Sequence, residues 1–229
     1  MCDLFEKYGD EPTIMEAIED VKEKYKIDES NKLWRTLGAS NHTGNQRQAE
    51  DFYETDPEAI DRLVNSKPEY APDKNSLCWE CAVGRGSLAD RLERFGYEVY
   101  GSDLIDRANG KYDTLDFLQS TRPATNGKAL TIITNPPFQV AESFVTHACS
   151  LIKPGERVYM LLKTLWLEGQ KRQKLIYKNP EIQLKYLLQF SKRVSCYKDG
   201  EQTGHSGAQA YAWYVFEKPE KPLPAIDWI

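Results

Sequence analysis

Short apolar runs alternate with longer amphipathic stretches from about residue 57 onward. Short apolar runs bounded by Gly, Pro or polar clusters are typical of buried strands, and apolar positions three and four apart are typical of helices. The pattern predicts strands at 77–81, 98–102, 129–134, 157–162, 182–188 and 210–216 and helices at 57–64, 87–95, 140–151 and 168–178. This alternation predicts an α/β fold, with helices on both faces of a mostly parallel sheet.

The first 48 residues have a different pattern and form a predicted helical extension. A helix is expected to begin at Pro12, because apolar residues recur at helical spacing while acids crowd the other faces (Ile14, Ile18, Val21 and Tyr25). A polar linker is expected over 31–48. The predicted organisation is therefore an extension over 1–48, a main domain over 49–218 and a tail over 219–229 that wraps the surface.

Charge is distributed unevenly along the chain. The net charge is −5, yet the first thirty residues hold ten of the acids, whereas 153–198 contains eleven bases and three acids. An acidic chain with one concentrated basic segment can still present a phosphate-binding face, although a solvated surface is the alternative reading.

The five cysteines show no framework spacing, and the pair Cys78 and Cys81 falls within a predicted strand. We therefore expect reduced, structural cysteines and no metal site. No apolar run approaches the length of a membrane span, and the first residues lack the pattern of a signal peptide. The expected location is cytoplasmic.

A glycine loop follows the first strand of the predicted sheet. Gly84 and Gly86 let the backbone turn tightly and approach a ligand closely. Nicotinamide and flavin proteins use a related loop, so the glycines alone are a weak signal. Glu80, at the end of the strand, is distinctive, because its carboxylate suits a cationic methionine moiety better than a pyrophosphate.

Further acids follow the next predicted strands. Asp103 ends the second strand, where a carboxylate can accept both ribose hydroxyls of a nucleoside. Asp116 could accept the amino group of an adenine while Phe117 covers a ring face. Because ligands of open α/β sheets bind at the carboxyl ends of strands, the succession of acids predicts a nucleoside-type cofactor there.

The tetrapeptide Asn135-Pro136-Pro137-Phe138 directly follows a buried strand and carries the catalytic prediction. The two prolines stop the strand and stiffen the loop. The Asn135 side-chain oxygen and the Pro136 carbonyl can bind both hydrogens of an exocyclic amino group and so make its lone pair available for attack. Phe138 can stack on a base taken out of the helix.

With these motifs the chain resembles the class I S-adenosylmethionine-dependent amino-methyltransferases, in which a (D/N/S)PP(Y/F) tetrapeptide follows an E-x-x-x-G-x-G loop. From about residue 37 onward it is similar to the small adenine-specific DNA methyltransferases of phages and prophages, with matching segments at 38–43, 51–57, 135–138, 167–169 and 210–213. The resemblance implies a Rossmann-like fold with a seven-stranded sheet and S-adenosylmethionine as cofactor. It departs at Val83, often Cys in these loops, and at Phe138, more commonly Tyr.

The resemblance also implies further site residues. Thr55 matches a position that contacts the methionine carboxylate of the cofactor, with Tyr53 beside it. The full set of predicted cofactor contacts is Tyr53, Thr55, Glu80, Ala82, Gly84, Gly86, Asp103, Leu104, Asp116 and Phe117.

No large target-recognition domain follows the catalytic loop, so the predicted nucleic-acid contacts lie in the region 163–209. They are Lys163, Lys171, Arg172, Lys174, Lys192, Arg193 and His205. The expected reaction is N6-methylation of adenine in DNA. Adenine in RNA, N4 of cytosine in DNA, a protein glutamine, and a partner subunit without turnover stay open as alternatives, as does a homodimer.

Overall fold

A computed structural model describes residues 53–198, 209–218 and 224–229. The predicted helix at 12–25, the linker at 31–48, Cys2, His205 and most of the loop 195–209 lie outside the described residues. Within them, no helix is both long and apolar enough to cross a membrane. The same residues hold no cluster of three or more His, Cys, Asp or Glu that could bind a metal.

The core of the fold is an eight-stranded sheet. Its strands are β2 (Leu77–Glu80), β3 (Glu98–Asp103), β4 (Asp113–Thr114), β5 (Leu130–Thr134), β6 (Arg157–Lys163), β7 (Gln183–Gln189), β9 (Tyr211–Glu217) and β10 (Ala225–Trp228), in the order β10-β7-β9-β6-β5-β2-β3-β4. All neighbours pair in parallel except β9, which runs antiparallel to both β6 and β7. Two short strands, β1 (Tyr53–Thr55) and β8 (Cys196–Lys198), form a separate antiparallel pair.

The Rossmann-like α/β prediction is confirmed, with one strand more than the seven expected. The addition lies partly in the tail, which does not simply wrap the surface: β10 extends the sheet by pairing with β7. A polar, two-residue strand such as β4 has no hydrophobic pattern to reveal it, because both its residues are exposed.

The helices cover both faces of the sheet, as predicted. On one face, α1 (Glu58–Val64) and α2 (Ser87–Arg94) bury residues such as Ile60, Leu63 and Leu92. On the other, α3 (Ala141–Leu151) packs through Phe144, Val145 and Ala148. The central strands β2 and β5 are buried along their whole length, which explains why their sequences read as continuous apolar runs.

The predicted basic helix at 168–178 is present over 170–177, but it is not a regular α-helix. The segment forms only a short helix, α4 (Gln170–Arg172), which continues into one turn of π-helix at Gln173–Tyr177. Gly169 before it has a φ of 141°, and a Cβ there would lie within 2.7 Å of the Arg172 guanidinium. Arg172 folds back onto the preceding turn, and Ile176 is fully buried, so packing and not helical periodicity sets this backbone.

Three of the cysteines are core residues, in line with the structural role expected of them. Cys78, Cys81 and Cys149 are buried and form no disulfide among the described residues. Burial raises the pKa of the Cys78 and Cys149 thiols to about 12, so both stay protonated and unreactive at neutral pH.

Candidate active site

The glycine loop connects β2 to α2 at the carboxyl edge of the sheet. Gly84 and Gly86 have φ angles of 56° and 102°, which glycine adopts without strain. The Val83 N–H donates to the carbonyl of Ser102 at 3.0 Å, which ties the loop to the neighbouring strand β3. The loop therefore has the sharp turn that its sequence predicted.

Asp103, the predicted ribose ligand, lies directly against this loop. Its Oδ2 accepts a hydrogen bond from the Gly84 N–H at 2.8 Å, and its Oδ1 accepts from the Ile105 N–H at 3.0 Å. The Arg107 guanidinium adds an ion pair at 3.2 Å. Leu104 beside it is 65% exposed, so an apolar side chain stands at this edge available to cover a flat ligand.

Glu80 lies beneath the loop and is 1% exposed. Burial raises the pKa of its carboxyl to about 8, and the neighbouring Asp103 carboxylate contributes to the increase. The Thr134 hydroxyl and the Ala82 N–H, which donates to Glu80 at 3.2 Å, counteract the increase. The carboxyl is therefore largely neutral at pH 7. A cationic group placed next to it would favour ionisation and lower this pKa.

Asp116 and Phe117, the predicted adenine contacts, differ in exposure. Asp116 is exposed and caps a 3-10 turn by accepting from the Leu118 N–H at 3.0 Å. Phe117 is 2% exposed, and its ring packs against Trp79, Phe144 and His147 at centroid distances of 5.1, 4.8 and 5.0 Å. The Phe117 ring therefore fills the core, and its contact with a ligand ring stays a prediction.

Asn135 occupies the point where β5 ends. Its Nδ2 donates to Thr55 Oγ1 at 2.8 Å and contacts Cys196 Sγ at 3.8 Å. Its Oδ1 is buried and has no hydrogen-bond partner among the described residues. Leaving a buried acceptor unpaired costs about 1–3 kcal/mol, so such an atom at an active-site edge calls for an explanation.

Thr134 Oγ1 is the second buried polar atom without a hydrogen bond of good geometry in the described part of the chain. It lies next to the Glu80 carboxyl and to Asn135 in sequence. The two unsatisfied oxygens thus belong to consecutive residues of the predicted catalytic edge.

The remaining three residues of the tetrapeptide differ in exposure and lead into α3. Pro136 is buried and Pro137 exposed, and Phe138 begins a 3-10 turn at Phe138–Val140 that leads into α3. The Phe138 ring is half-buried and stacks on Tyr211 at 5.9 Å with an interplanar angle of 27°. The Lys163 ammonium lies 4.8 Å from the Phe138 ring centroid. One aromatic face and one cation are thereby held next to the catalytic loop.

A small cleft joins the two halves of the site. Its lining includes Thr55, Glu80, Ala82, Gly84 and Asn135 from the predicted set, with Glu54, Val83, Arg85, Ser87 and Leu88 in addition. Sequence reasoning missed Glu54 as a site residue, although it lies within the matched segment 51–57. Its carboxylate accepts from the Ser87 hydroxyl at 2.6 Å, so it holds β1 against the start of α2.

Five of the seven predicted nucleic-acid contacts fall into two groups; Lys163 lies beside Phe138, and His205 is outside the described residues. Lys174, Lys192 and Arg193 are exposed. Lys171 and Arg172 both pair with Glu142 of α3, at 2.8 and 3.1 Å. Arg172 also donates to the Trp166 carbonyl at 2.7 Å, so it contributes to the fold, and its role as a nucleic-acid contact stays a prediction.

Comparison with known proteins gives matches in three dimensions only. No family model matches the sequence, and no curated protein matches it. A proposed RNA methyltransferase from Pyrococcus horikoshii superimposes with a TM-score of 0.54 at 15% identity, over 84% of this chain and 98% of the other.

Two type I restriction-modification proteins are similar in the same way. The methyltransferase subunit from Streptococcus thermophilus gives a TM-score of 0.55 at 13% identity over 79% of this chain, and the EcoKI M protein gives 0.52 at 14% over 75%. The chain spans only 48% and 45% of these two proteins. At such identities the likeness establishes the fold: this is the Rossmann-like fold of class I methyltransferases.

Proposed function

We propose that this protein transfers the methyl group of S-adenosylmethionine to the N6 amino group of adenine in DNA. The observation that carries the proposal is the unpaired, buried Oδ1 of Asn135 at the end of β5. An acceptor that remains unsatisfied in the free protein is what an incoming N–H group would need.

The residues around the cleft fit the proposed cofactor. Asp103 presents a carboxylate for ribose hydroxyls, Leu104 an exposed apolar surface for the base, and Glu80 a buried carboxyl for a cationic ammonium group. When bound there, S-adenosylmethionine would supply a methyl group whose bond to sulfur breaks as the bond to the acceptor nitrogen forms.

The catalytic contribution of the chain is positioning and hydrogen bonding. Asn135 Oδ1 and the Pro136 carbonyl would accept the two hydrogens of the amino group, which draws the nitrogen lone pair out of conjugation with the ring. The Phe138 ring, held against Tyr211, would support one face of the extruded base. The proton of the methylated nitrogen is acidic and passes to solvent.

The choice of adenine as the base and of DNA as the polymer is the most specific part of the proposal. They are supported by the resemblance of the motifs to small adenine-specific DNA methyltransferases and by exposed basic side chains such as Lys174 and Lys192. RNA is the main alternative polymer. N4 of cytosine and a protein glutamine present the same type of nitrogen, and they are the remaining outcomes of the test below.

The test is incubation of the protein with tritiated S-adenosylmethionine and, in parallel, duplex DNA, total RNA or protein, with the product identified by mass spectrometry. N6-methyladenine in DNA is the expected product. Label in RNA or protein alone would contradict DNA as the substrate, and N4-methylcytosine would contradict adenine as the methylated base. No label in any of the three would contradict the proposed methyltransferase activity.

A variant pair connects the activity to the site. Asn135→Ala should lower kcat by about 10²- to 10³-fold, since one preorganised hydrogen-bonding group is lost. Gln139→Ala, an exposed position on the same loop, is the matched control and should retain activity. Calorimetry should show unchanged cofactor binding in both; loss of binding in Asn135→Ala would mean that Asn135 is structural.

A further inference from the structure

We infer that Thr55 and Cys196 act as positioning residues that fix the Asn135 carboxamide with its oxygen toward the acceptor base. The inference rests on the proposed function, because it assigns a role within that reaction. It concerns a group of three residues that are far apart in sequence and belong to three different strands or strand ends.

The geometry brings two acceptors to one side of the amide. Thr55 of β1 and Cys196 of β8 are directly opposite partners in the short antiparallel pair, so their side chains lie close together. The amide Nδ2 of Asn135 lies 2.8 Å from Thr55 Oγ1 and 3.8 Å from Cys196 Sγ. Both of its hydrogens therefore have a destination on the strand pair.

The hydroxyl of Thr55 is also constrained. A threonine hydroxyl can donate or accept, so by itself it would not choose between the two orientations of an amide. In the 2.8 Å contact Oγ1 accepts from Asn135 Nδ2, and Cys196 Sγ, 3.8 Å from the same Nδ2, is a second acceptor on that side of the amide. The Cys196 thiol stays protonated because burial raises its pKa to about 12, so the sulfur carries no negative charge.

The consequence concerns the hydrogen bonding of the amide oxygen, Asn135 Oδ1. With Nδ2 held by the strand pair, Oδ1 is directed away from it and has no partner among the described residues. A 180° turn of the amide would direct Nδ2, a donor, toward the acceptor base, where it cannot bind an amino hydrogen. Thr55 and Cys196 thus select the orientation that methyl transfer to an amino group requires.

This role differs from the one that the resemblance implies for Thr55, namely contact with the methionine carboxylate of the cofactor. The two roles predict effects on different kinetic and binding parameters. A cofactor ligand contributes to the dissociation constant of S-adenosylmethionine, whereas a residue that orients Asn135 contributes to the rate of the bound complex.

The test compares Thr55→Val, which keeps shape and burial but removes the hydroxyl, with Thr55→Ser, which restores it. Using the full chain and genomic DNA free of N6-methyladenine, Thr55→Val should lower kcat on the order of 10- to 100-fold, and Thr55→Ser should recover most of it. The dissociation constant of S-adenosylmethionine, measured by calorimetry, should change by less than about twofold in both.

A double variant shows whether the effect acts through Asn135. In an Asn135→Ala background the further change Thr55→Val should lower kcat no more, because the group that it orients is absent. Thermal unfolding of each variant controls for a general loss of structure.

Two results would overturn the inference separately from the proposed function. An active wild-type protein whose Thr55→Val variant keeps its kcat, or loses only cofactor affinity, contradicts the positioning role and leaves the activity standing. A wild-type protein that transfers no label to any substrate contradicts the proposed function, and the positioning role with it.

Discussion

Arg172 Nη1 lies 3.1 Å from Glu142 Oε1, and this ion pair connects the segment after β6 to helix α3. Arg172 is also 5.4 Å from the Trp166 ring centroid and donates to the carbonyls of Trp166 and Glu168. Its guanidinium thus has a carboxylate, an aromatic ring and two backbone carbonyls as partners. A residue that charge distribution alone assigns to a basic, DNA-binding surface thus stabilises the turn beside the candidate active site.

Replacement of Arg172 should therefore affect stability. Arg172→Ala should lower the free energy of unfolding by about 1–3 kcal/mol, because it leaves the half-buried Glu142 and the backbone carbonyls with fewer partners. Lys174→Ala, at an exposed neighbouring position, should stay within about 0.5 kcal/mol. Urea unfolding measures both. Equal effects would show that Arg172 is as free as Lys174.

Binding to DNA should depend on the exposed lysines at the carboxyl edge. Lys174→Ala and Lys192→Ala should each reduce the slope of log K against log salt concentration by about one, since each would lose one phosphate contact. Lys153→Ala is the control, because Lys153 is exposed but lies at the opposite edge, before β6. Fluorescence anisotropy between low and moderate salt gives the slopes. Identical slopes for all three variants would argue against a DNA-binding face here.

Cofactor binding should release a proton through Glu80. The pKa of the buried carboxyl is about 8 in the free protein, and a neighbouring ammonium group would lower it. Affinity for S-adenosylmethionine should therefore rise with pH up to about 8. Calorimetry in two buffers of different ionisation enthalpy measures the proton release, and Glu80→Gln should abolish it. Proton uptake, or no exchange in the wild type, would contradict this assignment.

The same carboxyl should affect the stability of the free protein. A carboxyl whose pKa is raised from 4.5 to about 8 stabilises the fold below the lower value, and that contribution is lost as the pH rises toward the upper one. Relative to Glu80→Gln, the wild type should lose on the order of 1.4 kcal/mol per pH unit between about pH 5 and 8. Urea unfolding at intervals across this range tests the slope, and parallel curves for the two proteins would refute it.

Gly101 should tolerate no side chain. A Cβ at this position would lie 2.3 Å from Tyr112 Cδ1, and the Tyr112 hydroxyl is itself fixed by a 2.7 Å hydrogen bond to Asp90. Gly101→Ala should therefore destabilise the protein by about 1–3 kcal/mol. Adding Tyr112→Ala should recover part of this loss, which thermal unfolding of the double variant would detect as non-additivity. Strict additivity would locate the strain elsewhere.

Much of this protein can be predicted from its sequence, for physical reasons that are local. The strands β2 and β5 are buried on both faces and so read as unbroken apolar runs, while prolines and glycines mark where they end. Because the strands are parallel, residues that end or directly follow them, such as Glu80, Asp103 and Asn135, fall on one edge of the sheet. The α/β fold and the position of the candidate site follow from these patterns.

Tertiary packing decided what the side chains at that edge do. Phe117 lies in the core and Arg172 in an ion pair because of neighbours that no sequence spacing reveals. The state of Asn135 depends on Thr55 and Cys196, eighty residues before it and sixty-one after it, which the β1–β8 pairing brings together. Sequence by itself determined which chemical groups are present and at which edge of the sheet they lie. Only the three-dimensional structure decided which of their hydrogen bonds are already made, since each partner comes from a distant part of the chain.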